Sequence, residues 1–227
     1  MTNLLDNPVW NALQSNNQNL ALGVGAARYY LRDVAPFAGV AEYTSENFTA
    51  LYHLITDDLP VAIFTVNETI DPGPWRQATR IDGYQMVFAP VLQPRPADAT
   101  IVPLTEQHIP DMLALTQLTN PGPFLKETIR FGHYEGVFFD NRLVAMAGQR
   151  FHTGTYAEIS AVCTDPGFTG RGLARKLILN QIQRIQARNE TPYLHVKSEN
   201  DRALQVYKDL GFAIRSKIFI HILKKPL

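Results

Sequence analysis

The hydrophobic pattern changes its period several times in the second half of the chain, and each change predicts a new element. Residues 157–164 form a largely apolar run that predicts a strand, and the Asp, Pro and Gly residues that follow it predict a turn. Leucine and isoleucine at helical spacing over residues 173–185 predict a helix. The alternating run 193–197 predicts a second strand, and Gly211 ends a second helix before a strand that begins at Phe212.

Shorter elements are predicted between the middle of the chain and that region. The pattern there predicts a strand at 100–104, helices at 105–117 and 124–131, and hairpin strands at 134–139 and 143–148 around a turn at 140–141.

A division of the chain is predicted where Pro94 and Pro96 bracket an arginine between two structured stretches. We therefore predict a domain over residues 1–95 and another over residues 98–227. The first part has apolar stretches separated by prolines and glycines, which is consistent with a small α/β domain, and it carries no clear chemistry. Its Gly23-Val24-Gly25 is similar to a dinucleotide fingerprint, but the third glycine is missing and no βαβ pattern surrounds it, so we regard it as a chance match.

Composition and charge narrow the functional classes. The chain has 227 residues, of which 45% are hydrophobic, with 21 basic and 21 acidic side chains. Zero formal net charge argues against nucleic acid as the main partner, because proteins that bind it usually present a basic face. The sequence has no apolar run long enough to span a membrane and no export pattern at its start, so we expect a cytoplasmic protein that binds no membrane.

Cys163 is the single cysteine, which rules out an internal disulfide and agrees with a reducing compartment. Its place in an apolar strand favours a buried thiol over a nucleophile. The six histidines show no His-x-x-x-His spacing and no Cys-x-x-Cys pair accompanies them, so we predict no metal site.

The first candidate for chemistry is the pair Gly170 and Gly172, at the point where the predicted helix begins. Glycines there leave the backbone N–H groups of the first helical turn uncovered, and with the positive end of the helix dipole behind them such groups hold a phosphate or diphosphate well. Arg171 adds a full charge. Taken alone, the two glycines are equally consistent with a tight turn.

The second candidate lies on the following helix. Asn200 and Tyr207 are seven positions apart and therefore share one face, with the small Ala203 between them. A polar side chain and a phenol on one stripe favour a ligand site, although a buried tyrosine in ordinary core packing has the same pattern.

Together the two segments resemble the GNAT superfamily of acyl-CoA-dependent N-acyltransferases. The family signature Arg/Gln-x-x-Gly-x-Gly/Ala is matched by residues 169–174, and its later Asn-x-x-Ala-x-x-x-Tyr-x-x-x-Gly-Phe is matched without a break by residues 200–212. The resemblance covers the chain from about residue 99 onward. It implies an α/β (α+β) fold with a mixed central sheet flanked by helices, ending in two strands after the last helix, beside a smaller N-terminal α/β domain. By fold analogy alone, we regard that smaller domain as a candidate for a degenerate GNAT-like unit.

The resemblance implies acetyl-CoA as cosubstrate and assigns its contacts to the strand, the loop and the second helix. The implied residues are Val162, Cys163, Thr164, Thr169, Gly170, Arg171, Gly172, Leu173, Ala174, Asn200 and Tyr207. Thr169 departs from the family pattern, which has Arg or Gln there. Since backbone N–H groups supply most of the expected phosphate contacts, we expect weaker CoA binding, with Arg171 in part compensating.

Acyl transfer to an amine requires a proton acceptor, because an alkylammonium with a pKa near 10 is only about one part in a thousand neutral at pH 7. Glu158, on the strand before the loop, is the first candidate, since a strand carboxylate faces the acceptor in the resembled fold. A solvated position or a pair with an arginine would remove it from that role. His195 on the neighbouring strand is the second candidate, with a structural side chain as its alternative.

After the amine attacks, the tetrahedral intermediate carries an oxyanion and must expel a thiolate. A backbone N–H near Val162 is expected to hold the oxygen, and Tyr207 to protonate or hydrogen-bond to the leaving sulfur. Direct attack in a ternary complex needs no covalent enzyme intermediate.

These inferences predict an N-acetyltransferase whose acceptor is a small amine, an amino acid or a peptide amine. The alternative is a non-catalytic CoA-binding regulatory module, in which the loop survives and the N-terminal half recognises a partner. The sequence leaves a homodimer open.

Overall fold

The computed structural model describes residues 3–93 and 98–226. The predicted division near residue 95 therefore lies mostly outside the described residues.

One mixed sheet forms the centre of the molecule, with helices on both of its faces. Its strands are β1 (Ala21–Leu22), β2 (Ala27–Tyr30), β3 (Phe37–Val40), β4 (Val61–Thr65), β5 (Arg76–Phe88), β6 (Val102–Pro103), β7 (Glu135–Phe139), β8 (Arg142–Thr153), β9 (Tyr156–Thr164), β10 (Thr191–Lys197) and β11 (Phe212–Lys224). The α-helices are α1 (Pro8–Gln14), α2 (Ser45–Leu54), α3 (Ile109–Thr119), α4 (Leu173–Gln186) and α5 (Asp201–Leu210).

The strands lie in the order β1-β2-β3-β4-β11-β5-β10-β9-β8-β7-β6, so the sheet runs through both predicted units. Strand β5, which precedes the predicted division, lies between β10 and β11 and is antiparallel to both. The expectation of two strands after the last helix was wrong: α5 is followed by β11 alone, and the neighbouring position is filled from the N-terminal half.

Two short elements also differ from their predicted extent. The strand predicted at 100–104 is limited to Val102–Pro103, because residues 99–100 lie in a turn, although the Leu104 N–H still donates to the Tyr134 carbonyl at 2.9 Å. The helix predicted at 124–131 is a single 3-10 turn, Thr128–Phe131, which follows two prolines and a glycine in a segment too short to nucleate an α-helix. The predicted hairpin is present as β7 and β8.

The two faces of the sheet carry separate cores. On one face, aromatic residues of the N-terminal half pack against the C-terminal half, with Phe37 and Phe64 both in edge contact with Phe151. On the other face, α4 and α5 cover residues such as Ile159 and Leu194. The N-terminal half therefore contributes side chains to a core that it shares with the C-terminal half.

Candidate functional site

The parallel strands β9 and β10 diverge inside the sheet. Backbone partners join them at only three positions, the last being Tyr193 with Glu158. Beyond that pair β9 continues to Thr164 and pairs with β8, while β10 continues to Lys197 and pairs with β5. The result is a wedge, here called the β9–β10 opening, between residues 159–164 of β9 and 194–197 of β10.

A bulge in β9 lies on this opening. The register with β8 shifts between the pairs Met146–Cys163 and Gly148–Ser160, and Ala161 has a φ of 52°, in the left-handed region that alanine rarely adopts. Such strain concentrates at functional sites, because it turns a peptide group out of the regular ladder. The affected peptide adjoins Val162, near which a backbone N–H is predicted to hold the oxyanion.

The predicted phosphate loop lies at the wide end of the opening. Gly170 and Gly172 have φ values of 79° and 74°, and an added Cβ at either would meet no atom within 4 Å. Gly172 is the N-cap of α4 and, lacking a side chain, leaves the helix without a side-chain cap. The first amides of this helix of 14 residues therefore face open space, which is the arrangement that a diphosphate requires.

Local contacts hold the loop in shape. The Asp165 carboxylate accepts a hydrogen bond from the Gly167 N–H at 2.8 Å, and the Thr169 hydroxyl donates to the Pro166 carbonyl at 3.1 Å. Thr169 thus closes the turn through its own hydroxyl, and it brings no charge to the loop.

Positive charge at the loop comes from side chains around Phe168. The guanidinium carbons of Arg171 and Arg142 lie 4.6 and 5.5 Å from the centre of its ring. Arg142 is also paired with Asp165 at 3.3 Å, whereas Arg171 is exposed beside the two glycines. Arg171 therefore provides a positive charge directly next to the two glycines. Cation–π stacking on the Phe168 ring orients its guanidinium group.

Helix α5 packs Tyr207 against the sheet, while Asn200 is the exposed residue that precedes the first turn of the helix. The Asn200 side chain accepts from the Ala203 N–H at 3.1 Å and so caps the helix, which leaves its amide NH₂ for other partners. Tyr207 packs in the core cluster that contains Ile159 and Leu194, and its ring lies 6.0 Å from that of Phe212. Burial, followed by the negative charge of Glu158, raises the pKa of Tyr207 to about 12, so its phenol keeps its proton at neutral pH.

Glu158 lies on the opposite face and is 1% exposed. Its carboxylate accepts two hydrogen bonds from Arg150, at 2.8 and 2.6 Å, and a third from His195 Nδ1 at 2.7 Å. Burial alone would raise the pKa of Glu158, but the charge of Arg150 and the hydrogen bonds from Arg150 and His195 outweigh it and lower the pKa to about 2. The structure thus shows the pair with an arginine, and a carboxylate of such low basicity is a weak proton acceptor near neutral pH.

Three further residues complete this cluster, and the sequence did not single them out. Arg150 is enclosed by the rings of Phe37, Phe64 and Phe151, 4.4 to 5.4 Å from its guanidinium carbon. Gln85 of β5 bonds to His195, and Arg215 of β11 bonds to Gln85. Alternation along β8 could have placed Arg150 on the face of Glu158, but no local signal connects residue 85 to residue 195.

The remaining sequence predictions about chemistry concern Cys163 and metals. Cys163 is 6% exposed, and burial raises the pKa of its thiol to about 11, which is the behaviour of a structural cysteine. Within residues 3–93 and 98–226, no three His, Cys, Asp or Glu side chains are grouped as metal ligands would be. Over the same residues, no helix combines the length and apolar character needed to cross a lipid bilayer.

Comparison with known proteins agrees with this geometry. The sequence profile of the FR47-like protein family matches residues 135–220. The curated N-alpha-acetyltransferase RimI of Mycobacterium tuberculosis is 34% identical over 83 residues, which are 35% of this chain and 51% of RimI, so the match spans about half of that relative.

Solved structures extend the likeness to the N-terminal half. A GNAT-family protein from Novosphingobium aromaticivorans is 35% identical, and the alignment covers 100% of both chains with a TM-score of 0.91. A GCN5-related N-acetyltransferase from Kribbella flavida shares the fold at 14% identity, with a TM-score of 0.61 over 96% of each chain. Because the Novosphingobium aromaticivorans protein is similar over the full length of both chains, this chain belongs to the GNAT family of acetyltransferases.

Proposed function

We propose that the protein transfers an acetyl group from acetyl-CoA to a primary amine by direct attack in a ternary complex. The observation that carries this proposal is the β9–β10 opening, with uncapped helix amides at its wide end and a protonated phenol packed beside it. When bound, acetyl-CoA supplies the thioester carbonyl that the amine attacks.

Each part of the opening has a task in this proposal. The amides from Gly170 onward, through Leu173 and Ala174, bind the diphosphate, with the charge of Arg171 beside them. The strand edge formed by Val162, Cys163 and Thr164 offers backbone hydrogen bonds to the amides of the pantetheine arm. Asn200 contributes its free amide NH₂ to the same arm.

Two donors then serve the transfer. The N–H of Val162, next to the bulge at Ala161, stabilises the oxyanion, because a fixed amide donor in a site with little water needs no reorganisation. Tyr207 donates its proton to the leaving thiolate, since its raised pKa keeps the phenol protonated at neutral pH.

Glu158 has an electrostatic part in this proposal. Its carboxylate stays ionised above a pKa of about 2 and lies at the narrow end of the opening, where the amine attacks. Held by Arg150 and His195, it orients the groups that face the acceptor and does not itself take the proton. The ammonium gives one proton to water before it attacks, and the proton that its nitrogen loses as the intermediate collapses restores the phenol of Tyr207.

The acceptor class remains a small amine, an amino acid or a peptide amine. RimI, by its name, acetylates an alpha-amine, and this favours acceptors that carry an α-amino group.

Thiol release from acetyl-CoA across a panel of amines, amino acids and short peptides tests the proposal, with CoA affinity measured in parallel. We expect amine-dependent thiol release for at least one class. Measurable CoA affinity with no release across the whole panel would instead favour a non-catalytic CoA-binding module.

A further inference from the structure

A residue of the N-terminal half reaches the acceptor side of the opening. Gln85 lies on β5, is fully buried, and places its Nε2 atom 2.9 Å from Nε2 of His195. His195 stands on β10 two positions beyond Tyr193, the last residue that pairs with β9. The imidazole therefore lies at the narrow end of the opening, with Gln85 on one side of it and Glu158 on the other.

The orientation of the Gln85 amide is set by two groups of fixed polarity. Its Nε2 atom donates to the Leu5 carbonyl at 2.9 Å, and its Oε1 atom accepts from Nη1 of Arg215 at 3.0 Å. A carbonyl can only accept and a guanidinium can only donate. Turning the amide over would replace both hydrogen bonds by repulsive contacts, so the NH₂ group faces His195.

That orientation determines the tautomer of His195. Because Gln85 donates to Nε2, this nitrogen carries the lone pair, and Nδ1 carries the hydrogen that is donated to Glu158 at 2.7 Å. A second proton on the imidazole would put an N–H group against the Gln85 NH₂, where no hydrogen bond can form.

The charges around the imidazole come from every neighbouring element. Glu158 and Arg150 face it from β9 and β8, and Arg215 stands behind Gln85 on β11, paired in turn with Asp6. Tyr193 lies beside it on β10, with its ring centre 5.6 Å away. With an uncharged imidazole, the group formed by Arg150, Glu158 and His195 has zero net charge.

We propose that Gln85 is a positioning residue for acetyl transfer: it holds His195 uncharged in the Nδ1–H tautomer and thereby keeps the acceptor side of the opening electrically neutral. This proposal rests on the function proposed above. A protonated His195 would add a positive charge next to the arriving ammonium, and like charges a few ångströms apart in a buried site repel strongly. The N-terminal half thus contributes to the reaction as well as to the sheet.

The test exchanges the donor for an acceptor of the same shape. In Gln85→Glu, a carboxylate faces Nε2 of His195 and can accept a hydrogen bond from a protonated ring. The matched control is Gln77→Glu, on the same strand, because Oε1 of Gln77 lies 2.8 Å from Nδ1 of His221 on the neighbouring strand β11. Both variants add one negative charge next to a buried histidine, but only the first is at the opening.

Nitrogen-15 NMR of the histidines and the pH dependence of kcat/KM are measured for each protein. We expect the Nδ1–H tautomer for His195 in the wild type. In Gln85→Glu, its titration midpoint and the acidic limb of kcat/KM should both move to higher pH, by about one unit or more. In Gln77→Glu, only the His221 signal should move. An Nε2–H tautomer in the wild type, or an acidic limb that stays in place while the His195 midpoint moves, would overturn the proposal.

A second variant covers the case in which Gln85→Glu does not fold. Gln85→Met keeps the side-chain length but has no hydrogen-bond donor. The fraction of His195 in the Nε2–H tautomer should therefore rise. The acidic limb of the kcat/KM profile should move to higher pH, by a smaller amount than in Gln85→Glu. The NMR spectra require no acceptor amine. If no amine on the panel is acetylated, the proposed function fails, whereas the spectra still decide whether Gln85 sets the tautomer.

Discussion

Glu158 and Tyr193 form the last backbone pair between β9 and β10, and the sheet opens directly beyond them. The acidic side chain predicted to be catalytic therefore lies at the narrow end of the opening, while the glycine loop lies at the wide end, past Thr164. The six residues 159–164 of β9 separate the two ends, which is ~20 Å of extended strand. This arrangement allows separate tests of the binding end and the transfer end.

Tyr207→Phe tests the transfer end. Loss of the phenol removes the proposed proton donor to the thiolate but leaves the loop and its amides intact. We expect turnover to fall by about 10²-fold or less, with CoA affinity nearly unchanged. Steady-state kinetics and calorimetric CoA titration measure the two quantities. Wild-type turnover in the variant would remove Tyr207 from the mechanism.

Gly172→Ala tests the binding end. Alanine at a φ of 74° costs about 1–2 kcal/mol of stability, and its methyl group enters the open space in front of the first helix amides. We expect CoA affinity to fall by about tenfold, which corresponds to ~1.4 kcal/mol.

Gly25→Ala is the control for that variant. Gly25 has a φ of 64°, is exposed, and likewise has no atom within 4 Å of an added Cβ, but it lies in the N-terminal glycine pair that we regard as a chance match. It should lose similar stability in thermal unfolding and keep wild-type CoA affinity. An equal loss of affinity in both variants would mean that strain, and not the space at the loop, limits binding.

Deletion of residues 1–97 tests whether the C-terminal unit, residues 98–227, folds on its own. Strand β5 would be absent, so the facing edges of β10 and β11 would lose their partner, and buried Phe88 and Met86 would leave the core beneath α5. Exposed long edges favour aggregation. We expect the fragment 98–227 to be insoluble or unfolded by circular dichroism. A longer fragment that begins at Arg76 and so keeps β5 should give more folded protein. A fully folded, CoA-binding fragment 98–227 would contradict the expectation.

Acid unfolding tests the ion pair between Arg150 and Glu158. The pKa of Glu158 falls from 4.5 to about 2 on folding, so the pair contributes stability that is complete above about pH 4.5 and is lost as the pH falls toward 2. Thermal unfolding midpoints should decline over that range in the wild type.

Glu158→Gln alone leaves a buried guanidinium without its counter-ion and should cost on the order of 3–5 kcal/mol at neutral pH. The double variant Arg150→Met with Glu158→Leu replaces both charges by apolar groups and should recover most of that stability with a weaker acid dependence. An unchanged acid dependence in the double variant would assign it to other carboxyl groups.

The sequence by itself was sufficient for the features that depend on near neighbours. The glycine pair before a helix and the helix stop at Gly211 are local patterns, and the structure has the corresponding loop and helix end where they were predicted. The predicted stripe of Asn200 and Tyr207 is found only in part, because Asn200 is the non-helical N-cap of α5 and Tyr207 lies within the helix. The family itself followed from these segments, because backbone amides and helix periodicity need only a few consecutive residues.

Only the tertiary structure decided what surrounds Glu158. Its partners come from β8, β10 and, through Gln85 and Arg215, from β5 and β11, which are brought together by strand pairing across the whole chain. Sheet neighbours at such sequence separations leave no periodic trace, so neither the low pKa of Glu158 nor the insertion of β5 beside β10 could be predicted locally. Periodicity reports which way a side chain points along its own strand, whereas the strand order determines which charges it meets.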